Sequence, residues 1–177
     1  NFLDNPKEGS KEKTKKKQED YIYNLRLDDG SSKNKWLLDK KNVHNNFLQV
    51  IHQYEVEGTY KNRYDVTILV NGLPLVHIEL KRRGVSLKEA FNQIRRYDKD
   101  SFWADNSLYQ YAQIFVISNG TETKYYSNTT RELAHKEQSN YNSNKKKTSH
   151  SYEFTSFWAD ARNKNIKDLV DFTATFL

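Results

Sequence analysis

Residues 64–81, YDVTILVNGLPLVHIELK, constrain the fold more than any other stretch of this chain. Asp65 opens a run of Val66, Thr67, Ile68, Leu69 and Val70, rich in the β-branched residues that suit a pleated strand. Asn71-Gly72 then supplies the strongest short-range hairpin signal, because both residues tolerate positive φ. Leu75, Val76, His77 and Ile78 return as a second strand that closes on Glu79, Leu80 and Lys81. Glu79 and Lys81 stand two residues apart, so they share one face of that strand.

The resulting pattern, D-x(13)-E-x-K, brings two acidic oxygen donors for a hard cation to one end of a hairpin, with an ammonium beside them. Register sets a structural condition on this. A plain two-residue loop pairs Asp65 with Ile78 and Glu79 with Tyr64, leaving the carboxylates on opposite faces. One more residue in the connection, or a single β-bulge, places Asp65 across from Glu79. At this point an ordinary surface salt-bridge cluster, worth about 0–1 kcal/mol, remains the alternative.

The 177 residues suffice for one domain with a real core. Only 36% are hydrophobic, yet 12 Tyr, 9 Phe and 3 Trp give that core large aromatic pieces. No apolar run approaches the roughly 18 residues of a membrane helix, and no signal-peptide h-region opens the chain, so a soluble protein without a membrane partner is expected. The absence of cysteine excludes thiolate metal sites and favours a cytoplasmic home. With no Met, and Asn at position 1, the chain reads as part of a longer one. A net charge of +6 and a pI near 9.3 fit a polyanionic partner, although the lysine runs at 11–17 and 145–147 are of the kind usually solvated.

Taken in order, 1–20 is a polar segment, 21–127 the core, 128–150 a polar loop and 151–177 a C-terminal segment, all within a single domain. A strand at 21–27, a turn at 28–30 and a return beginning at Trp36 predict an additional N-terminal hairpin. Residues 47–56 fit either period; their β-rich tail and Gly58 favour a strand pairing with the one that opens at Asp65. Ser86-Leu87-Lys88-Glu89 is a capping box, which predicts a helix over 87–97 with Leu87, Ala90, Phe91 and Ile94 on its apolar stripe. Phe102 and Trp103 open a linker; 111–118 is a buried strand closed by Asn119-Gly120, and 123–126 returns from it. Phe154, Phe157 and Trp158 form an aromatic anchor before an amphipathic helix at 166–177. The fold class is therefore α/β, a mixed β-sheet flanked by helices. His77 reads as a packed histidine. His44, His52, His135 and His150 lack zinc-ligand spacing.

YDVTILV running into NGLPLVHIELK, a helix carrying Q-I-R-R-Y, FVISNGTETKYYSN and finally DLVDFTATFL resemble the N-terminal nuclease domain of the R (restriction and motor) subunit, HsdR, of type I restriction-modification enzymes, over roughly residues 19–177. The resemblance implies a PD-(D/E)XK, restriction-endonuclease-like core. It assigns Asp65 and Glu79 as metal-site acids, Lys81 as the catalytic lysine, and Gln93 and Tyr97 as the Q-x-x-x-Y motif, which would hold DNA phosphate or support the metal ligands. Mg2+ would be held by Asp65, Glu79 and the carbonyl of Leu80. Arg82, Arg83, Arg95 and Arg96 become candidate phosphate contacts, which position DNA without reading bases.

The partners implied are double-stranded DNA, the M (methyltransferase) and S (specificity) subunits reached through the full R subunit, and ATP-driven motor domains of the same polypeptide, in a bacterial or archaeal cytoplasm. No G-x-x-x-x-G-K-[ST] occurs here, so ATP belongs to the motor and not to this chain. Two departures are visible: Tyr64 stands where Pro often precedes the first acid, and the acidic helix residue that often lies upstream is not evident. The alternative functions are a catalytically inactive DNA-holding or subunit-docking module, and a repair or recombination nuclease with the same core.

Overall fold

Strand alternation and turn chemistry settle most of the architecture. The computed structural model describes residues 22–56, 61–102, 107–129 and 150–177; the segment 1–20, Trp103, and the greater part of the loop expected over 128–150 lie outside the described residues. β1 (Ile22–Arg26) and β2 (Ser32–Trp36) form a separate antiparallel hairpin. Its return strand ends at Trp36, where it was expected to begin. The strand's Ser, Lys and Asn residues are exposed and carry no apolar period; the tight turn before them, closed by Leu27 N–H on the Ser31 carbonyl at 2.9 Å, sets the pairing.

The main sheet has the order β3 (Leu48–Val56), β4 (Asn62–Val70), β5 (Leu73–Leu80), β6 (Ile114–Ser118), β7 (Thr123–Ser127). Every neighbouring pair is antiparallel except β5 with β6, which are parallel. A parallel pair needs a crossover, and α1 (Leu87–Asp100) lies in that connection. Ser86 caps α1, its Oγ accepting from Lys88 N–H at 3.2 Å. The helix outruns its expected end at 97 because Tyr97 and Asp98 are themselves buried. Beyond it, the Tyr97 carbonyl accepts from Ser101 and Phe102 N–H.

The NG turn is a two-residue one, with φ of 52° at Asn71 and 82° at Gly72. Val70 pairs with Leu73 and Leu69 with Pro74, but Ile68 pairs with Val76, so Leu75 is an extra residue. This β-bulge meets the register condition set by the sequence. Pro74 has no N–H to give the ladder, which suits it to a bulge, and the carbonyl of Leu75 instead accepts from Gln113 N–H at 2.8 Å. Beyond the bulge Thr67 faces His77 and Val66 faces Ile78, a register that carries Asp65 to Glu79.

Each face of the sheet has its own core. On one, Tyr64, Phe91, Ile94, Tyr97, Phe102, Tyr109 and Phe115 pack around α1. Phe102 thus belongs to the core and not to a linker, and Tyr111 closes a 3-10 turn, Leu108–Tyr111, instead of opening β6. On the other face Val76, Ile78 and Val116 meet Phe172 of α2 (Leu169–Phe176), whose first N–H groups are capped by Asp168. Ile166, expected inside this helix, lies in β9 (Asn165–Ile166), which pairs with β8 (Trp158–Ala159). Trp158 packs against Phe176 with ring centroids 4.3 Å apart and planes tilted by 35°, and contributes to this anchor; Phe154 does not, being 59% exposed.

Candidate active site

Strand β5 ends on the same face on which α1 packs, so the bulged hairpin and the helix supply one cluster of side chains. Glu79 is fully buried, and its Oε1 accepts from Lys81 Nζ at 3.0 Å. Lys81, 19% exposed at its side chain, also donates to Gln93 Oε1 at 2.5 Å. Gln93 Nε2 donates to the Tyr97 hydroxyl, one helical turn along, and that hydroxyl donates to the Arg63 carbonyl at 2.9 Å. Gln93 and Tyr97 therefore hold the lysine and tie it to the backbone of β4. Burial pushes the Tyr97 phenol up, opposed by the Gln93 bond and reinforced by the Glu79 and Asp65 carboxylates, so it persists as a hydrogen-bond donor.

Asp65 reaches the same end of the hairpin from β4. Its Oδ2 accepts from Leu80 N–H at 2.8 Å, which places the carboxylate at the peptide between Glu79 and Leu80. Its Oδ1 has one long contact, from Gln53 Nε2 at 3.5 Å. Arg82, Arg83 and Arg96 are exposed. Arg95 and Arg96 lie against the rings of Phe91 and Tyr97, 5.8 and 5.7 Å from guanidinium carbon to centroid.

Among the described residues no group of three or more His, Cys, Asp or Glu converges on a metal site. Two carboxylates are nonetheless available, and the oxygens they leave over fit a hard cation: Glu79 Oε2 is buried without a hydrogen-bond partner, and Asp65 Oδ1 has only its long contact. So small a protein donor set suits Mg2+, which keeps several of its waters.

Two neighbours of this cluster lie outside the residues that the sequence assigned to the site. His77 is packed, as expected, among Tyr64, Tyr97, Phe102 and Tyr109, but its Nε2 also lies 3.6 Å from Glu79 Oε2. Period two along β5 would have pointed to that proximity. Gln53 belongs to the strand on the far side of β4, and only the three-strand register brings it to Asp65.

Residues 1–133 match the family model described as type I restriction enzyme R protein N terminus. The chain belongs to this family. Its relatives include the type I restriction enzyme EcoprrI endonuclease subunit of Escherichia coli, 53% identical over 175 residues, 99% of this chain and 51% of that protein. The SauMSSORF170P endonuclease subunit of Staphylococcus aureus is 44% identical over 153 residues, 86% of this chain and 14% of the relative. A putative type I restriction enzyme endonuclease subunit of Methanocaldococcus jannaschii, MjaIXP, is 40% identical over 100 residues. The chain thus spans about half of the first of these R proteins and about a seventh of the second. As a member of the R protein N-terminal family it combines a mixed sheet, a flanking helix and an N-terminal hairpin. No helix among the described residues is long and apolar enough to cross a membrane.

Proposed function

We propose that this chain is the DNA-cleaving part of a type I R subunit, hydrolysing phosphodiester bonds of double-stranded DNA with Mg2+ and without choosing a sequence. The observation that carries this reading is the chain of bonds from buried Glu79 through Lys81 and Gln93 to Tyr97, with Asp65 held beside it. A surface salt bridge would need neither a fully buried carboxylate nor a lysine fixed by two acceptors.

Asp65 and Glu79, with the Leu80 carbonyl, would hold the cation. When bound, Mg2+ supplies Lewis-acid polarisation of the phosphate and makes water a competent nucleophile near neutral pH. The chain's own residues supply the rest. An ammonium has three donors; Lys81 uses two on Glu79 and Gln93, which leaves one to meet the attacking water or the charge that develops on the phosphate. Gln93 and Tyr97 position that ammonium. Arg82 and Arg83, exposed just beyond the site strand, would bind flanking phosphates. We likewise propose one nuclease domain over residues 1–177, joined to ATP-driven motor domains in a full R subunit that assembles with M and S subunits in the cytoplasm.

The test uses the complete R subunit assembled with its partner subunits. Asp65→Ala and Lys81→Ala should each abolish DNA cleavage while DNA-stimulated ATP hydrolysis continues at the unmodified rate. Cleavage retained by both variants would overturn the assignment.

A further inference from the structure

Three residues other than glycine have positive φ among those described: Asn71 and Asn163, of the type that tolerates the left-handed region, and Gln53, at 52°. Gln53 lies inside β3, in an otherwise regular antiparallel pair. His52 faces Val66 and Tyr54 faces Tyr64, so the position across from Gln53 is Asp65. The pleat slips there. Tyr64 and Thr67 both meet Tyr109 on the α1 side, with Val66 against the opposite core, although residues three apart in an uninterrupted strand point to opposite faces.

Packing does not call for a glutamine at this point. Gln53 is exposed, and glycine would adopt the same backbone without strain. What the glutamine adds is its amide, whose Nε2 donates to Asp65 Oδ1 at 3.5 Å, the outer limit of hydrogen bonding. The other carboxylate oxygen is fixed by Leu80 N–H at 2.8 Å. Asp65 is thereby met from both neighbouring strands, by a short backbone bond from β5 and by a long side-chain contact from β3. Strain of this kind persists where the surroundings over-determine it, and it gathers at functional sites.

We infer that Gln53 is a positioning residue for Asp65: its left-handed backbone aims the amide at Oδ1 and orients the carboxylate for the divalent cation. The inference rests on the reading of Asp65 as a metal-site acid. It adds a third strand, at one edge of the sheet, to a site otherwise built from a hairpin and a helix.

The experiment compares Gln53→Gly, which relieves the backbone and removes the amide, with Gln53→Met, which keeps length and backbone and removes only the donor. Both are made in the complete R subunit assembled with its partners. Cleavage is titrated with Mg2+ at fixed DNA, ATP hydrolysis is followed in the same tubes, and hydrogen exchange at the Leu80 amide is measured with and without Ca2+ in the absence of ATP. Each variant should need about tenfold more Mg2+ for half-maximal cleavage, as loss of a ligand-orienting partner commonly causes, with no change in the Mg2+ dependence of ATP hydrolysis. Ca2+ should protect the Leu80 amide in the unmodified subunit and protect it less in both variants. If glycine alone alters these readouts, or neither variant does, Gln53 serves only the backbone and the inference fails. Asp65→Ala run in parallel separates the two readings: if it still cleaves, the site assignment itself is wrong.

Discussion

At the scale of single residues, Glu79 decides how the cluster behaves. Its carboxylate is fully buried, accepts a hydrogen bond from Lys81 and has His77 Nε2 3.6 Å away. Removing one member of such a pair leaves the other uncompensated. In urea unfolding of this chain without divalent ions, Lys81→Met should lower stability by roughly 1–3 kcal/mol, and millimolar Mg2+ should stabilise the variant more than the unmodified chain, since the cation replaces the missing positive charge. Equal Mg2+ effects on both would show that the cation does not reach Glu79. The sequence made Glu79 and Lys81 legible as a pair, because period two is a local rule. It left the partner of Gln93 open: the lysine that Gln93 holds is twelve residues away and on another element, and only packing of α1 on the sheet joins them.

At the scale of elements, the β5 bulge does the most. Leu75 alone shifts the register between Leu69 and Ile68, and without it Glu79 would return to the face opposite Asp65. Deleting Leu75 should therefore abolish cleavage in the complete subunit while leaving the far-ultraviolet circular dichroism of this chain strand-rich; a deletion variant that still cuts would show that the hairpin recovers its register elsewhere. Here the sequence could state the condition without choosing how it is met, because an NG turn and a bulge together are indistinguishable by pattern from a longer loop. The start of helix α1 was equally readable. Ser86 caps α1 through Lys88 N–H, and Ser86→Ala should cost about 1 kcal/mol in the same urea measurement. Helix α1's end was not readable, since it depends on Tyr97 and Asp98 finding cover in the fold. Similarly β2, whose residues have no apolar alternation, was placed by its turn and not by its pattern.

At the scale of the whole molecule, the core on the α1 side is an aromatic assembly rich in tyrosine. Burial, against the hydrogen bond shared with Thr67, pushes the Tyr109 phenol up to about 12, and burial raises Tyr64 further still. Phenols whose folded pKa exceeds the unfolded value of about 10 contribute fully below that pH and lose their contribution as pH rises through the folded value. Stability should thus decline from about pH 10 toward pH 12, and the 295 nm absorbance of the buried tyrosines should rise only as the chain unfolds; a smooth titration near pH 10 with intact circular dichroism would contradict this packing. The α/β class and the sheet's order of elements were legible in outline, but the split into two cores was not, because Phe102 and Phe172 reveal their sides only once β5 and β6 lie parallel. That parallel pair also has a consequence in time. The β4–β5 hairpin is local and can form within microseconds, whereas β5 must wait for the α1 crossover before Lys81 N–H can reach the Ser118 carbonyl at 2.8 Å. During synthesis Asp65, Glu79 and Lys81 therefore leave the ribosome before the strand that fixes the lysine's backbone, which follows about forty residues later, so a half-made chain carries all three residues of the proposed site without the geometry that joins them.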